Sequence, residues 1–337
     1  MINKVQMKYI DEILDICRRK GTEEFQDVNR QYYHYTSIPK LFSVLEGDSL
    51  WASNIRFSND EMEEKILGEQ EMICRDDYVL CFCGEGDLLS QWRGYCNKGG
   101  ASIELNINYP TNYSILHKDF DTTGKYELVE NAPIPVLYLK SNVNYKKKRK
   151  ELERIIKRDN KYKDVQIRDI VPYLKDGSFF EEIESRLVFS NLDNKISKCI
   201  HFRNLPDGAR VPYIIIKVGD IGKAKKNCIM DLKKYDDAEL KKHSEKREPI
   251  WIEEGYNQEL MYREMTKIIV KYHENHKSDY PIKILCRGHL PIERIIVAPM
   301  IDRKRKVEEI KRFCMSNYWL ERVEVAESEI PYVTSSF

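Results

Sequence analysis

Two near-continuous apolar runs constrain the fold of this chain most strongly. They are YVLCFC at 78–83 and VPYIIIKVG at 211–219. Runs of this kind, without regular alternation of polar residues, are typical of strands that are buried on both faces. We therefore predict that both segments are central strands of a sheet. A chain of 337 residues, 42% of them hydrophobic, is long enough to bury such a sheet in a sizeable core.

The remaining segments of regular pattern mix strands and helices without a βαβ rhythm. Strands are predicted at 32–36, 49–53, 101–107, 133–140, 186–190, 283–289, 293–299 and 322–330, and helices at 2–20, 37–47, 88–96, 146–160 and 302–314. This order predicts an α+β fold with a mixed or split β-sheet and surrounding helices. No internal repeat or low-complexity linker occurs, so we predict one domain over 1–337, with a charged, helical elaboration at about 220–280.

Composition indicates where in the cell the protein is located more clearly than what it binds. Lysine and arginine total 56 against 55 acidic residues, so the net charge of +1 argues neither for nor against a nucleic-acid partner. The first 21 residues have no apolar signal core, and no apolar run approaches the ~20 residues that span a bilayer. Nine cysteines, an odd number without regular spacing, indicate reduced thiols. We predict a cytoplasmic protein with no membrane association. The sequence does not indicate its oligomeric state.

The common catalytic motifs are missing from the sequence. It contains no GxGxxG after a strand, no GxxxxGK[ST], no HExxH and no GxSxG. Cys81 and Cys83 form a Cys-x-Cys pair, but within an apolar strand thiols act as small hydrophobic groups. Packing is therefore favoured over zinc binding, and no metal is predicted.

Three segments carry side chains suited to a ligand site, and each also has a purely structural interpretation. His34, between two tyrosines on a predicted strand, is either a core histidine or the wall of a nucleotide pocket. Trp92 and Tyr95 share one face of a short helix and either pack in the core or stack on a ligand ring. The three carboxylates of FFEEIESR (179–186) would be costly to bury together. Either one of them lies at the edge of a cleft, where Arg186 keeps it ionised, or all three belong to a solvated helix end.

Four segments in order resemble one bacterial family. They are YHYTSIPKLFSVLEGDSLWASNIRFSNDEMEE (32–64), VLCFCGEGDLLSQWRGYCNKGGASIEL (79–105), FFEEIESRLVF (179–189), and IIVAPMIDRKRKVEEIKRF through AESEIPY (295–332). Together they resemble the family known as domain of unknown function 2971. Phe179 stands where that family usually has tryptophan, and Cys83 stands where serine is common.

The opening strand and helix also resemble the ADP-ribosyltransferase fold. This resemblance implies that His34 contacts the adenosine ribose of NAD, that Glu184 is the catalytic carboxylate, and that Glu182 orients the acceptor. Ser53 and Ser58 are both possible as the middle motif, and Tyr35 is a possible stacking group. The implied ligand-binding residues are His34, Tyr35, Thr36, Ser53, Ser58, Asn59, Trp92, Tyr95 and Arg186.

The function implied is cleavage of NAD, as a substrate, at its nicotinamide–ribose bond. A carboxylate near the ribose 2′-hydroxyl would stabilise the oxocarbenium-like centre, and no metal is needed. Such an enzyme would be a bacterial toxin or phage-defence effector, with a protein, a nucleic acid or water as acceptor. Two alternatives stay open. One is an effector that binds or modifies nucleic acid through the basic helices at 145–158 and 302–312, and the other is a nucleotide sensor without catalysis.

Overall fold

The computed structural model describes most of the chain. The described residues are 4–19, 31–57, 76–96, 98–107, 110–140, 145–191, 194–205, 208–219, 235–246, 250–253, 258–276, 282, 284–287, 289–317 and 319–331. Within these ranges, no helix combines the length and the apolar character that crossing a bilayer requires. They divide into two compact units, one formed by 1–216 with 292–337 and the other by 217–291.

Helices and strands alternate irregularly along the first unit. Its helices are α1 (Lys4–Arg19), α2 (Ile38–Gly47), α3 (Leu89–Tyr95), α4 (Phe120–Thr123), α5 (Tyr145–Arg158), α6 (Ile167–Ile170) and α9 (Arg303–Ser316). Its strands are β1 (Tyr32–Ser37), β2 (Leu50–Asn54), β3 (Asp77–Phe82), β4 (Gly100–Leu105), β5 (Thr111–Leu116), β6 (Tyr126–Asn131), β7 (Ile134–Pro135), β8 (Leu137–Leu139), β9 (Leu174–Asp176), β10 (Ser185–Ser190), β11 (His201–Asn204), β12 (Arg210–Val218), β15 (Ile292–Val297) and β16 (Glu324–Glu327). Single 3₁₀ turns lie at Ile55–Phe57, Asn160–Tyr162, Val171–Tyr173 and Ser197–Cys199, and a longer one at Gly177–Glu182.

Two sheets form the framework of this unit. The smaller has the order β1-β4-β15-β16, and the larger has the order β6-β5-β12-β2-β3-β10-β7, with β11 added on β12. Both predicted apolar strands, β3 and β12, lie inside the larger sheet. The prediction of an α+β fold is confirmed.

Among the described residues, one isolated bridge joins β1 of the smaller sheet to the end of β3 in the larger sheet. Tyr33 and Cys83 exchange both backbone hydrogen bonds, at 2.9 and 2.8 Å. On either side of this bridge β1 pairs with β4, while β3 pairs with β2 and β10. The strands diverge from the bridge, and this opens a space between the sheets.

Buried side chains hold the sheets and helices together. One core packs α1 and α5 against β7–β10, with Ile10, Leu152 and Tyr173 fully buried. A second core packs α3 under β1 and β15, around Trp92. Asp87 anchors this second core, because its carboxylate accepts hydrogen bonds from Trp92 Nε1, from Ser328 Oγ and from the backbone N–H of Glu329.

The strand predicted at 133–140 is two short strands in the structure. β7 pairs with β10, whereas β8 pairs in parallel with β9. Val136 lies between them, and its N–H donates to the carbonyl of Glu184 at 2.9 Å. The chain therefore changes partner at Val136, a switch that a pattern of apolar residues cannot reveal.

The second unit has its own small core. It contains α7 (Asp237–Lys246), β13 (Ile250–Glu253), α8 (Gln258–His276) and β14 (Ile284–Arg287), and β13 pairs in parallel with β14. Leu240, Met265 and Tyr272 are buried between these elements. The elaboration predicted at about 220–280 falls within this unit, which holds a strand pair as well as helices.

Candidate active site

A cavity of about 400 Å³ occupies the space where β1 and β3 diverge. Residues of β1 and the first turns of α2 line one side of it. Residues of β2, β3 and β10, together with the 3₁₀ turn at Gly177–Glu182, line the other. Its volume falls in the range of about 300–1,000 Å³ that is usual for small-molecule sites.

Four charged side chains form a compact ion-pair cluster at one wall. Lys175 Nζ donates to Glu182 Oε2 at 2.6 Å and to Glu184 Oε2 at 2.7 Å. Arg186 donates through Nε to Glu184 Oε1 at 2.6 Å and through Nη2 to Glu184 Oε2 at 3.2 Å. Its Nη1 donates to the carbonyl of Pro172 at 2.7 Å. Two carboxylates and two cations make this charge cluster neutral overall.

The backbone around Ile183 brings both carboxylates to one lysine. The 3₁₀ turn ends at Ile183, which has φ 45° and ψ 48°. A β-branched residue in the left-handed region is strained, at a cost of about 1–3 kcal/mol. The tight reversal lets Glu182 and Glu184 both reach Lys175. The N–H of Glu184 donates to the hydroxyl of Tyr138 at 2.7 Å, which fixes its backbone.

The pKa values of Glu184 and Glu182 are shifted in opposite directions. Burial alone would raise the pKa of Glu184, but Arg186 and Lys175 outweigh burial and hold this pKa well below its usual range. Burial also acts on Glu182, and there it prevails over Lys175, so that the pKa of Glu182 is raised. Glu184 is therefore a permanent anion, whereas Glu182 can exchange a proton more readily. Such divergence between neighbouring carboxyl groups is typical of acid–base sites.

Exposure separates the same two groups. The side chain of Glu184 is 4% exposed, and that of Glu182 is 18% exposed. Among the described residues, Glu182 Oε1 has no hydrogen-bond donor, while Oε2 is held by Lys175. Glu182 thus presents one open carboxylate oxygen to the cavity.

His34 lies on the same cavity as these carboxylates. Its Nδ1 is 3.3 Å from the carbonyl oxygen of Cys81, which can only accept a hydrogen bond. Burial, with a smaller contribution from Lys40, lowers the pKa of His34. A neutral imidazole that donates through Nδ1 keeps Nε2 as an acceptor. His34 can therefore accept a hydrogen bond from a ligand hydroxyl.

The two cysteines of the Cys-x-Cys pair lie in different environments. Cys83 is buried in the core under α3, and burial raises its pKa to about 12. Cys81 faces the cavity, is exposed there, and hydrogen-bonds to Glu184. Burial and the charge of Glu184 raise the pKa of Cys81. Among the described residues no group of three or more potential ligands could hold a metal ion.

The aromatic residues predicted to contact a ligand are divided between the cavity and the core. Tyr95 is 47% exposed and lines the cavity near Glu182. Trp92, predicted as a ligand contact, lies instead in the core: it is fully buried, its Nε1 is bonded to Asp87, and it is not among the cavity residues. Tyr35 lines the cavity, although its hydroxyl is engaged by the backbone of Glu85 and Leu88.

The other predicted contacts differ in availability. Thr36 and Ser53 line the cavity, and Ser53 Oγ accepts a hydrogen bond from Arg203 Nη2 at 3.1 Å. Arg186 also lines it, but its guanidinium is committed to Glu184 and to a carbonyl. Ser58 and Asn59 lie outside the described residues.

Sequence reasoning missed three cationic residues of the cavity region. Lys175 is the bridge of the charge cluster, and Lys40 and Arg203 line the cavity. Two of them are brought there by tertiary structure: Lys175 by the return of the chain from β9 to β10, and Arg203 by the pairing of β11 with β12. A lysine seven residues before Glu182 is not a recognisable sequence signal.

The two basic helices pack in different places, and some of their cations form ion pairs. α5 packs on α1 and α6, whereas α9 packs on β15 and β16. On α5, Lys148 pairs with Glu151 and Arg149 with Glu153. On α9, Arg303 and Lys306 also pair with carboxylates. The two basic helices thus contact different elements of the first unit, and the nucleic-acid alternative stays a prediction.

Comparisons with protein-family models, with curated proteins and with solved structures give no match for this chain. Both family resemblances therefore stay predictions, and the function has to be argued from the geometry of the cavity.

Proposed function

We propose that the cavity binds NAD and that the protein cleaves the bond between nicotinamide and ribose. The observation that carries this proposal is the convergence of His34, Glu182 and Glu184 on one cavity, although about 150 residues separate the histidine from the carboxylates. They provide an acceptor for a ribose hydroxyl, a group able to exchange protons and a fixed anion. The exposed ring of Tyr95 adds a surface on which a planar base can stack.

Cleavage begins at the C1′–N bond of the nicotinamide ribose. The bonding electrons pass to the cationic ring nitrogen, so nicotinamide leaves as a neutral molecule without prior protonation. Positive charge then develops on the ribose, as in glycoside hydrolysis. Glu184, anionic over a wide pH range, supplies a fixed negative charge beside this centre, where preorganised electrostatics contribute most.

Transfer is completed when an acceptor bonds to C1′. The open oxygen of Glu182 takes the proton that the acceptor releases, and its raised pKa suits a group that must exchange protons. Water as acceptor gives ADP-ribose, whereas a protein or nucleic-acid group gives an ADP-ribosylated product. In this scheme Lys175 is a positioning residue, because it contacts both carboxylates.

Nicotinamide release tests the proposal. The purified protein is incubated with NAD, alone and with candidate acceptors, and nicotinamide is measured by chromatography. Loss of a general base is expected to lower the rate by about 10²–10⁴-fold, so Glu182→Gln should lose nearly all activity. Glu181→Gln is the matched control, because Glu181 is exposed on the same 3₁₀ turn and does not line the cavity. If the protein yields no nicotinamide with water or any acceptor, NAD cleavage is refuted.

A second candidate is nucleotide binding without chemistry. The observation that favours it is that Glu184 is already saturated by Arg186 and Lys175, which offset its charge. A sensor of this kind would be stabilised by ADP-ribose through mass action while releasing no product. A rise in Tm with ADP-ribose, combined with intact NAD after long incubation, would favour the sensor over the enzyme.

A further inference from the structure

Two cations line the cavity without a carboxylate partner. Lys40 lies in the first turn of α2, and Arg203 lies on β11. No described carboxylate lies within ion-pair distance of either, in contrast to Lys175 and Arg186 in the charge cluster. A cation pair of this kind leaves excess positive charge at this wall of the cavity.

Arg203 has an unsatisfied donor. Its Nη2 donates to Ser53 Oγ at 3.1 Å, whereas its Nε is buried and has no partner among the described residues. A buried donor without an acceptor is unfavourable, and such a group in a native structure calls for a ligand, a water or an ion. Arginine is particularly suited to phosphate, because its donors match two phosphate oxygens at once.

Lys40 is close enough to sense the charge of Arg203. Partial desolvation at the cavity, followed by repulsion from Arg203, lowers the pKa of Lys40. Two cations held near one another at a cavity are mutually unfavourable until an anion lies between them. Ser37, which precedes α2 and also lines the cavity, makes no side-chain capping bond, so its hydroxyl can donate to a ligand.

The cation pair is separated from the charge cluster across the sheet. Ser53 on β2 is opposite Val79 of β3, and Ser185 on β10 is opposite Phe82 of β3. Two strand spacings correspond to about 10 Å, and three residues along β3 add about 10 Å in the perpendicular direction. The backbone of Ser53, whose hydroxyl accepts a hydrogen bond from Arg203, is thus roughly 14 Å from that of Ser185, which lies between Glu184 and Arg186. A ligand that meets both must be extended, with its anionic part away from the carboxylates.

We propose that Lys40 and Arg203 form the binding site for the diphosphate of an extended nucleotide whose ribose lies at the Glu182 end of the cavity. The identification of the ligand as a dinucleotide rests on the proposed function. The anion site itself rests on the two unpaired cations and on the orphan donor of Arg203.

Calorimetric titration tests this assignment with three probes: ADP-ribose, adenosine and inorganic pyrophosphate. The variants are Lys40→Gln and Arg203→Gln, and Lys304→Gln is the control, because Lys304 is an exposed lysine outside the cavity. Charge-assisted hydrogen bonds predict that each cavity variant binds ADP-ribose at least about tenfold more weakly, with adenosine unchanged. Lys40 is exposed, so its variant keeps the test valid even if Arg203→Gln is unstable.

The outcomes separate the anion site from the proposed function. ADP-ribose that binds wild type and both cavity variants equally would overturn the diphosphate site and leave a nucleotide site intact. Pyrophosphate binding that depends on Lys40 and Arg203, without any binding of ADP-ribose, would support the anion site and count against NAD as the ligand. If neither probe binds at millimolar concentration, or if Lys304→Gln weakens binding equally, the assignment is overturned.

Discussion

Replacement of Glu184 by glutamine is the most informative single perturbation of the cavity. The change keeps the size of the side chain but removes its charge, so the charge cluster changes from neutral to a net positive charge. Glu184 is 4% exposed and accepts three hydrogen bonds from cations, at 2.6, 2.7 and 3.2 Å. In the variant, the charge cluster keeps two cations, Lys175 and Arg186, and one carboxylate, Glu182.

The cost follows from the burial of these groups. Removal of one partner from a buried ion pair typically destabilises a protein by about 3–5 kcal/mol, because the remaining charge is left uncompensated. At about 2 °C per kcal/mol for a unit of this size, Tm should fall by roughly 6–10 °C. Glu182→Gln should cost less, because Glu182 is more exposed and its raised pKa shows that its charge is poorly favoured in the folded state.

Urea unfolding at pH 7 measures both variants against wild type. The double variant Glu184→Gln with Lys175→Met restores neutrality, so its loss should be smaller than the sum of the single losses by about 1–3 kcal/mol. A loss below about 1 kcal/mol for Glu184→Gln would refute the reasoning, because it would place the pair in the range of exposed salt bridges. Additive single losses would equally contradict a shared charge cluster.

Three further expectations follow from individual contacts. The pKa of Glu184 in the folded state lies below its ordinary value of 4.5, so the stabilisation that its charge provides is complete above that pH and is lost as pH falls through the folded pKa. The urea midpoint of wild type should therefore decline below pH 4.5. The part of this decline that is due to Glu184 should be missing in Glu184→Gln. Trp92→Phe removes a hydrogen bond to the partly buried Asp87 and should cost about 1–3 kcal/mol in the same assay, whereas no loss would show that solvent replaces the indole donor. Cys81 is exposed in the cavity and should be alkylated faster at high pH than the buried cysteines that the structure describes. ADP-ribose should slow this labelling, as followed by peptide mass spectrometry. Labelling that saturating ADP-ribose leaves unchanged would place the ligand elsewhere.

The sequence was informative where local pattern determines structure. The apolar runs at 78–83 and 211–219 predicted strands that lie inside the larger sheet, because burial on both faces leaves a direct mark on composition. His34 and the Glu182–Glu184 pair were identified because their segments follow the order of a known family and fold, and because neighbouring carboxylates that lead into an apolar strand are costly to bury. Their meeting at one cavity depends on the junction of β1 with β3, which no local pattern encodes.

Other features of the cavity depend on contacts between distant segments. Helical spacing predicted that Trp92 and Tyr95 share one face of α3, whereas in the structure Trp92 is buried in the core and Tyr95 is exposed and lines the cavity. Lys175 and Arg203 reach the cavity region through a chain reversal and a strand pairing, so the sequence around them carries no signal. The left-handed backbone at Ile183 was equally hidden, since an isoleucine is a poor indicator of that conformation.

A crystal structure of the protein soaked with NAD would test the central claim most directly. We expect electron density for the dinucleotide or for ADP-ribose in the cavity, with a ribose within hydrogen-bond distance of Glu182 and of His34 Nε2. A well-ordered cavity that holds only solvent at saturating NAD, or a nucleotide bound elsewhere on the protein, would contradict the claim that this cavity is an NAD site.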